Sequence, residues 1–565
     1  MKTTGDVSRG LLSHAPSRFG PVALLFLVSI VIRLILLFFM TQPGYTGWYG
    51  DVYHHWQIAY YTLHVGLNQN PPRMWDLNGM EYYWGILPAL IHAFLLWAFN
   101  TASLVPFQVF NSIMGSASCC VVYLICRKYF TREVGLLAGF LVTVSPVIAV
   151  SDISGMYESI GILLLLVAVY LYDSKPFFTG VLLGMAAMCR IEYYFLSVAI
   201  FACYLIFERS GIKFVPGFLG WLTSSLPHFL WIQMGTGDWL YQLRWNVVSA
   251  GGGWDPRYNL PQYQQMLILP RSIAAILLVI SSMSLLILLW KRPRGYALPV
   301  LFLAYSTFQF ATFSLTSYLA IIIFTPVERF IMDRMFSLDY IFISWLIAMA
   351  IGGFPFMLKE NRYEVKSEKL KKRFLSGEIS QEEYDRKLER LKLKTEKNEE
   401  ASGISKSRMI VGRLKLRKPV KISVFIMLLV ASLAGFLPVV AKYNEGLSGY
   451  YSSEKIASDL WENYKGGTII SGNVFLNYQM INKGISYDKI VGSLYSPRYY
   501  GTHDLKASLK WLTDLNATWI FVDGRIYEEF PVLKDEQTHP PFYVVIPGLL
   551  YQVNQTDLSA QLAQM

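Results

Sequence analysis

Ionisable side chains gather just beyond the ends of several long apolar segments, and such groups could together form an active site. Asp51 follows the first segment, in Gly50-Asp51-Val52-Tyr53-His54-His55-Trp56, and Glu81 ends the polar half of the same loop. Charges at the mouth of a helix bundle are costly, so their positions point to function. Other segments are followed by Asp152, Glu158, Arg190, Glu192, Arg329, Asp333 and Arg334.

Carboxylates and arginines together suit chemistry with a phosphate leaving group. A carboxylate can handle a proton or a divalent cation, and an arginine can hold a phosphate with two parallel hydrogen bonds. The pattern predicts one wet, outward-facing cavity that collects these groups. For any single charged residue, a role as an interfacial anchor or in a structural ion pair is an equally good explanation. Asp51 is the exception, because for this residue a functional role is favoured.

The segments that must position these groups are long enough to cross a membrane. The chain is 53% hydrophobic and only 16% charged, whereas an average soluble protein has about 25% charged residues. A soluble fold is therefore excluded, and the sequence predicts a polytopic α-helical membrane protein of about eleven spans. These are 21–40, 105–126, 134–150, 159–172, 176–189, 193–207, 214–234, 266–290, 297–324, 336–357 and 420–441.

The distribution of basic residues orients these spans, because cytoplasmic loops are enriched in Lys and Arg. It places the N-terminus inside and the first large loop, 41–104, outside. The apolar stretch 82–99 could cross as well, but a crossing would move every later loop to the other side. We therefore expect an interfacial or re-entrant helix there, with an ordinary span as the alternative.

The net charge of +11 is concentrated in one inner loop. A membrane-facing cytoplasmic loop explains it more simply than nucleic-acid binding does. In this loop, 358–419, Ser376-Gly377 breaks one helical pattern and Ser380-x-x-Glu383 caps the next. The pair resembles the short helical hairpin called SHOCT, and a charged solvated spacer is the alternative.

The last 124 residues have a soluble composition. Strand-like runs at 468–470, 519–522 and 542–546 alternate with helical runs, which predicts a C-terminal α/β domain over 442–565 on the outer side. The preceding membrane module covers 1–357, and 420–441 is the last span. All five cysteines lie in or beside apolar segments, so we expect free thiols.

Asp51, a few residues after the first span in an aromatic-rich outer loop, resembles the first-loop acid of the GT-C membrane glycosyltransferases. These include protein O-mannosyltransferases, aminoarabinose transferases and oligosaccharyltransferase catalytic subunits. Similar stretches follow in the same order: the 82–99 helix, Cys126-Arg127-Lys128-Tyr129-Phe130, Val144-Ser145-Pro146, Ser154-Gly155-Met156-Tyr157-Glu158 and Glu328-Arg329-Phe330-Ile331-Met332. The sequence departs from the mannosyltransferase pattern because Val52 replaces the second acid of the Asp-Glu pair, and no WWDYG-like motif occurs in the C-terminal domain.

The resemblance implies an inverting transfer of a hexose-like sugar from a polyprenyl- or dolichyl-phosphate donor to a glycan, lipid or protein acceptor. Asp51 would be the general base and Arg329 the first choice to bind the donor phosphate, with Arg334 and Arg190 as reserves. The remaining groups would shape the acceptor pocket or hold Mg²⁺ or Mn²⁺, although a site without metal is favoured: Glu81, Asp152, Glu158 and His54.

Two other functions stay open. A transporter or flippase would also need outer and buried charges, but the sequence has no internal repeat of the kind common in transporters. A catalytically inactive scaffold is the third reading, which the presence of Asp51 disfavours. Arg33, inside the first span, is expected to pair with Glu192 or to snorkel in a structural role. The expected location is the plasma membrane of an archaeon or bacterium.

Overall fold

The computed structural model describes residues 20–244 apart from 48, 130–131 and 208–209, then 373–401 and 418–565, with isolated positions at 341, 344, 345, 348, 367, 370 and 371. The predicted spans 266–290 and 297–324, most of 336–357, and both Arg329 and Arg334 lie outside the described residues.

The described residues between 20 and 244 form a bundle of helices. In chain order these are α1 Gly20–Ile35, α2 Asp51–His64, α3 Met80–Trp84, α4 Ile86–Ala98, α5 Val105–Tyr129, α6 Arg132–Thr143, α7 Pro146–Ser154, α8 Glu158–Leu171, α9 Pro176–Ala187, α10 Glu192–Ala202 and α11 Gly211–Thr236. A π-helical turn, Leu36–Met40, extends α1, and a second one, Cys203–Phe207, extends α10.

Two described helical stretches are long and apolar enough to cross a membrane, Gly20–Met40 and Val105–Lys128. A third span results if the bent pair α6 and α7 counts as one. The helices α4, α8, α9 and α10 are apolar but shorter. The total of eleven spans therefore remains a prediction.

The predicted span 134–150 is bent and does not form one straight helix. The chain bends by 57° between α6 and α7, with Pro146 as the first residue of α7. Proline lacks the backbone N–H that would continue the helix, and its ring clashes with the preceding turn. The break matters for the site because it sets the position of Asp152, which lies in α7.

The predicted outer-loop helix 82–99 is divided at Gly85. This residue has φ of 90°, and a Cβ there would lie 2.0 Å from the carbonyl oxygen of Met188, so only glycine fits. The second part, α4, has 13 residues, or about 20 Å, against about 30 Å for a bilayer core. Its interfacial position stays a prediction.

The basic inner loop contains α12, Gln381–Ala401. The predicted cap is confirmed, because Oγ of Ser380 accepts a hydrogen bond from the Glu383 amide at 3.3 Å. The predicted break is confirmed as well, since Gly377 forms a turn with φ of 76°.

The C-terminal part begins with α13 Lys418–Tyr443, which covers the predicted span 420–441, and continues with α14 Leu447–Asn463. A mixed sheet follows in the order β2-β1-β3-β5-β4, in which β1 is parallel to β2 and β3 while β5 is antiparallel to both neighbours. Its strands and helices are β1 Thr468–Ile470, α15 Val474–Lys483, β2 Ile490–Val491, α16 Leu505–Asp514, β3 Ala517–Phe521, α17 Gly524–Glu529, β4 Phe542–Ile546, β5 Leu550–Val553 and α18 Gln555–Gln564. Three of the strands coincide with the predicted runs, whereas β2 and β5 were not predicted.

One apolar core joins the outer loop to the C-terminal domain. It combines Trp56 of α2, Phe107 of α5, Tyr443 of α13 and Ile469 of β1, all less than 3% exposed. The loop and the domain therefore pack as one unit. The five cysteines are buried free thiols, as predicted.

Candidate active site

Asp51 is the first residue of α2, and its side chain is partly exposed. The first amide groups of a helix point their N–H bonds outward and carry a partial positive charge, which stabilises a carboxylate at this position. A partly exposed carboxylate can accept a proton from a hydroxyl group.

The turn before Asp51 is fixed by two helices. The Gly44 amide donates to Gln108 Oε1 of α5, and Gln108 Nε2 donates to the Tyr45 carbonyl, both at 2.9 Å. The Tyr443 hydroxyl of α13 donates to the same Tyr45 carbonyl at 2.8 Å. The position of Asp51 is thus set from α5 and from the last predicted span together.

The same face of α2 carries His54, three residues beyond Asp51. Nδ1 of His54 lies 2.8 Å from Oδ2 of Asp76, and Gln57 donates through Nε2 to Oδ1 of the same carboxylate. Residues three apart on a helix are neighbours on its surface. Asp76 therefore fixes the imidazole beside the helix end that carries Asp51.

Arg73 connects this carboxylate to Glu81. The guanidinium is fully buried, with Nε 2.5 Å from Oδ1 of Asp76 and Nη1 2.7 Å from Oε2 of Glu81. Burial raises the pKa of the Glu81 carboxyl, against the lowering effect of Arg73. Glu81 is thus part of an ion-paired network in the outer loop.

Asp152, expected in the acceptor pocket, is paired with Arg33. Its Oδ2 lies 2.7 Å from Nη2 and 2.8 Å from Nε of Arg33, and the Ser159 hydroxyl donates to Oδ1 at 2.5 Å. The predicted partner of Arg33, Glu192, is wrong, and so is snorkelling, because the guanidinium is fully buried. The bend before α7 brings Asp152 to the first span, which sequence spacing does not reveal.

Arg190 is held by two carboxylates. Its Nη1 lies 2.6 Å from Oε1 of Glu158, and its Nη2 lies 2.6 Å from Oε1 of Glu192, with a further contact from Nε to Oε2 of Glu192 at 3.2 Å. The two ions that sequence analysis assigned to different roles, Arg190 and Glu158, are therefore direct partners. A phosphate would have to compete with both carboxylates for this guanidinium.

The residues considered as possible ligands of a divalent metal do not come together in the described part of the chain. The described residues contain no group of three or more His, Cys, Asp or Glu side chains that could hold a metal ion. Instead Glu81 is paired with Arg73, Asp152 with Arg33, and Glu158 with Arg190. These three carboxylates do not fit a shared Mg²⁺ or Mn²⁺ site.

Sequence reasoning missed Arg73, Gln57 and Asp76. The one available signal was a charged pair, Arg73 and Asp76, inside an aromatic-rich outer loop that also holds Asp51. Their connection to α2 depends on how the loop folds back, and no spacing rule reports that.

A family model described as dolichyl-phosphate-mannose-protein mannosyltransferase matches residues 85–231. ArnT from Cupriavidus metallidurans bound to undecaprenyl phosphate aligns over 95% of this chain and 98% of its own, with a TM-score of 0.55 and 11% identity. The chain has the GT-C fold.

Other solved structures with the GT-C fold align over a similar share of the chain. ArnT in the apo state gives a TM-score of 0.51 at 11% identity over 95% of this chain and 98% of its own. The Archaeoglobus fulgidus oligosaccharyltransferase in the apo form gives 0.46 at 11% identity, over 96% of this chain and 75% of its own. The search of curated proteins returned no match.

The expected resemblance to GT-C membrane glycosyltransferases is confirmed for the fold of the chain, and the match to the mannosyltransferase family model covers residues 85–231. The family match begins at Gly85 and so leaves Asp51 outside the matched residues. The family match therefore gives no support to a role for Asp51, and that role rests on the position of Asp51 at the start of α2.

Proposed function

We propose that this chain is an integral membrane glycosyltransferase that moves a hexose-like sugar from a polyprenyl- or dolichyl-phosphate donor to an acceptor on the outer face. The observation that carries the proposal is the placement of Asp51. Within a GT-C fold, it puts a partly exposed carboxylate at the start of α2, just beyond the first span. The acceptor is a glycan, a lipid or a protein.

The lipid-linked donor is supported by the neighbour that aligns over nearly the whole chain. That ArnT structure contains undecaprenyl phosphate. A donor of this kind reaches the site from the bilayer, while a polar acceptor arrives from water. The boundary between the two media lies where α1 gives way to the loop that carries Asp51.

The proposed reaction is a single displacement with inversion. A carboxylate oxygen of Asp51 takes the proton of the acceptor hydroxyl, the hydroxyl oxygen bonds to the anomeric carbon, and the bond from that carbon to the phosphate oxygen breaks. The electron pair leaves with the polyprenyl or dolichyl phosphate. A general base opposite the leaving group is what such a displacement requires.

The leaving phosphate gains negative charge in the transition state, so a fixed cation stabilises it. Arg329 is our first choice for this cation and Arg334 is the next. Arg190 ranks after them because Glu158 and Glu192 already hold its guanidinium.

His54 and Glu81 are proposed to shape the acceptor side, because the Asp76 and Arg73 network holds both beside α2. Asp152 and Glu158 support the bundle through their arginines. The proposed arrangement has eleven spans, with 442–565 on the outer side of an archaeal or bacterial plasma membrane.

The class of reaction can be tested with purified protein in lipid nanodiscs and a panel of radiolabelled polyprenyl-phosphate sugars. Label moving from the lipid to a membrane-extract acceptor, with the opposite anomeric configuration in the product, is the expected result. Donor binding without transfer to any acceptor would reject the proposal and favour a transporter or flippase of the lipid-linked sugar.

A further inference from the structure

The C-terminal sheet has a carboxyl edge of the kind that binds ligands in α/β domains. Strands β2, β1 and β3 are parallel neighbours, so their carboxyl ends meet at one edge. In open α/β sheets, ligands bind in the crevice at this edge. Here the residues just beyond the strands are Ser471 after β1, Gly492 after β2 and Val522 after β3.

The first outer loop lies against this edge. The Gly492 amide donates to the Arg73 carbonyl at 2.9 Å, and Nδ2 of Asn477 donates to the Met74 carbonyl. Met74 itself is 1% exposed and packs in the apolar core shared by loop and domain. The position that a ligand would occupy in other α/β domains is therefore next to the chain's own residues 73–74.

The approach is close enough to favour glycine at position 492. A Cβ there would lie 3.1 Å from the Arg73 carbonyl oxygen and 3.3 Å from the Met74 carbonyl oxygen. A third contact lies nearby, where the Tyr495 hydroxyl donates to Oδ1 of Asn78 at 2.7 Å. The domain thus holds both ends of the segment 73–78.

The held segment also carries the side chains that reach α2. Asp76 binds His54 and Gln57, and Arg73 joins Asp76 to Glu81. A continuous path of hydrogen bonds and short covalent links runs from Gly492 to His54. A displacement of the segment would release the imidazole from the carboxylate that orients it.

We propose that Asn477 and Gly492 are positioning residues, through which the carboxyl edge of the C-terminal sheet holds residues 73–76 and so fixes His54 beside Asp51. This inference rests on the proposed glycosyl transfer for its effect on rate. The domain then contributes to the reaction through the first outer loop. Its action passes through Asp76, not through Asp51.

Three variants of the full-length protein test this inference. Asn477→Ala removes the donor to Met74, and Gly492→Ala adds the close Cβ. Asn482→Ala is the matched control, because its Nδ2 donates within α15, to the Tyr478 carbonyl at 2.8 Å. Gly492→Ala keeps the test open if Asn477→Ala fails to fold, because it changes a separate contact to the same segment, at the Arg73 and Met74 carbonyl oxygens.

The first readout is amide hydrogen exchange of peptides covering 69–81 and 505–521. Faster exchange of 69–81 alone in Asn477→Ala and Gly492→Ala, with the control like wild type, is expected. Unchanged exchange of 69–81 would overturn the inference. This readout needs no sugar transfer, so it stays decisive even if the wild type transfers nothing and the proposed function fails.

The second readout separates positioning from general stability. Both test variants should lower kcat by about 10- to 100-fold with the donor Kd unchanged. Each combined with His54→Gln should be no slower than His54→Gln alone, because the effect passes through that imidazole. Rate losses that multiply in the double variants would overturn the inference.

Discussion

Oδ2 of Asp152 in α7 lies 2.7 Å from Nη2 of the fully buried Arg33 in the first span. The Ser159 hydroxyl satisfies the other carboxylate oxygen of Asp152. This pair fastens the bent segment α6 and α7 to α1. Removing one partner from a buried ion pair leaves an uncompensated charge, whereas replacing both with apolar residues can be nearly neutral.

Asp152→Ala should therefore destabilise the protein by about 3–5 kcal/mol. Thermal unfolding of the purified protein in detergent, monitored by size-exclusion chromatography, measures the loss of stability. The double variant Arg33→Met/Asp152→Leu is the control and should recover most of the loss. A double variant as unstable as Asp152→Ala would contradict a structural role for the pair.

Glycines in the turn before Asp51 give a second prediction. Gly47 has φ of 60°, and a Cβ there would lie 2.5 Å from Cδ2 of Tyr443. Gly47→Ala should cost at least about 1–2 kcal/mol from the left-handed backbone alone and should lower transfer, because the turn carries Asp51. Thermal unfolding and a transfer assay measure the two effects.

Gly50→Ala is the matched control for that change. Gly50 has φ of −55°, and no atom lies within 4 Å of a Cβ added there. Alanine fits this conformation, so stability should stay within about 1 kcal/mol of wild type. Equal losses from the two substitutions would contradict the proposed constraint on position 47.

The pairing of Arg190 gives a third prediction. Lysine cannot reproduce the forked contact with Glu192 together with the bond to Glu158, so Arg190→Lys should reduce stability. Its donor Kd should stay within about twofold of wild type, while Arg329→Lys should raise the Kd by about tenfold, as expected from losing a charge-assisted bond to phosphate. Binding of a fluorescent polyprenyl phosphate measures both, and the reverse order would make Arg190 the donor-phosphate ligand.

Sequence spacing located Asp51, because its position depends only on where an apolar segment ends. Sequence spacing gave Arg33 the wrong partner, because the bend between α6 and α7 brings Asp152 close to it. The signal for that bend was present in Ser145-Pro146, but the apolar run on both sides resembled one span. The proline thus interrupts the helix although the apolar run is long enough for one span.

Tertiary contacts explain the other misses. His54 was predicted at the site, yet its partner Asp76 lies 22 residues away across an irregular loop. The contacts from Gly492 and Asn477 to that loop join residues roughly 400 apart. No periodicity or motif reports such pairs, whereas capping by Ser380 was predictable because it involves residues three apart.

Chelation provides a fourth prediction. Sugar transfer should persist in EDTA, because Glu81, Asp152 and Glu158 are engaged by arginines. The assay compares dialysed enzyme with and without added Mg²⁺ or Mn²⁺. Activity that disappears with the chelator and returns with either ion would contradict this expectation and require a metal site built with other residues.

The central claim is that Asp51 removes the acceptor proton, and a single-turnover rate with bound donor tests it most directly. Asp51→Asn keeps the size of the side chain but cannot take a proton, and Asp488→Asn, at an exposed carboxylate paired with Lys489, is the matched control. The account predicts that Asp51→Asn lowers the rate by about 10²- to 10⁴-fold with donor affinity unchanged, while the control equals wild type. Equal single-turnover rates for Asp51→Asn and wild type would contradict it.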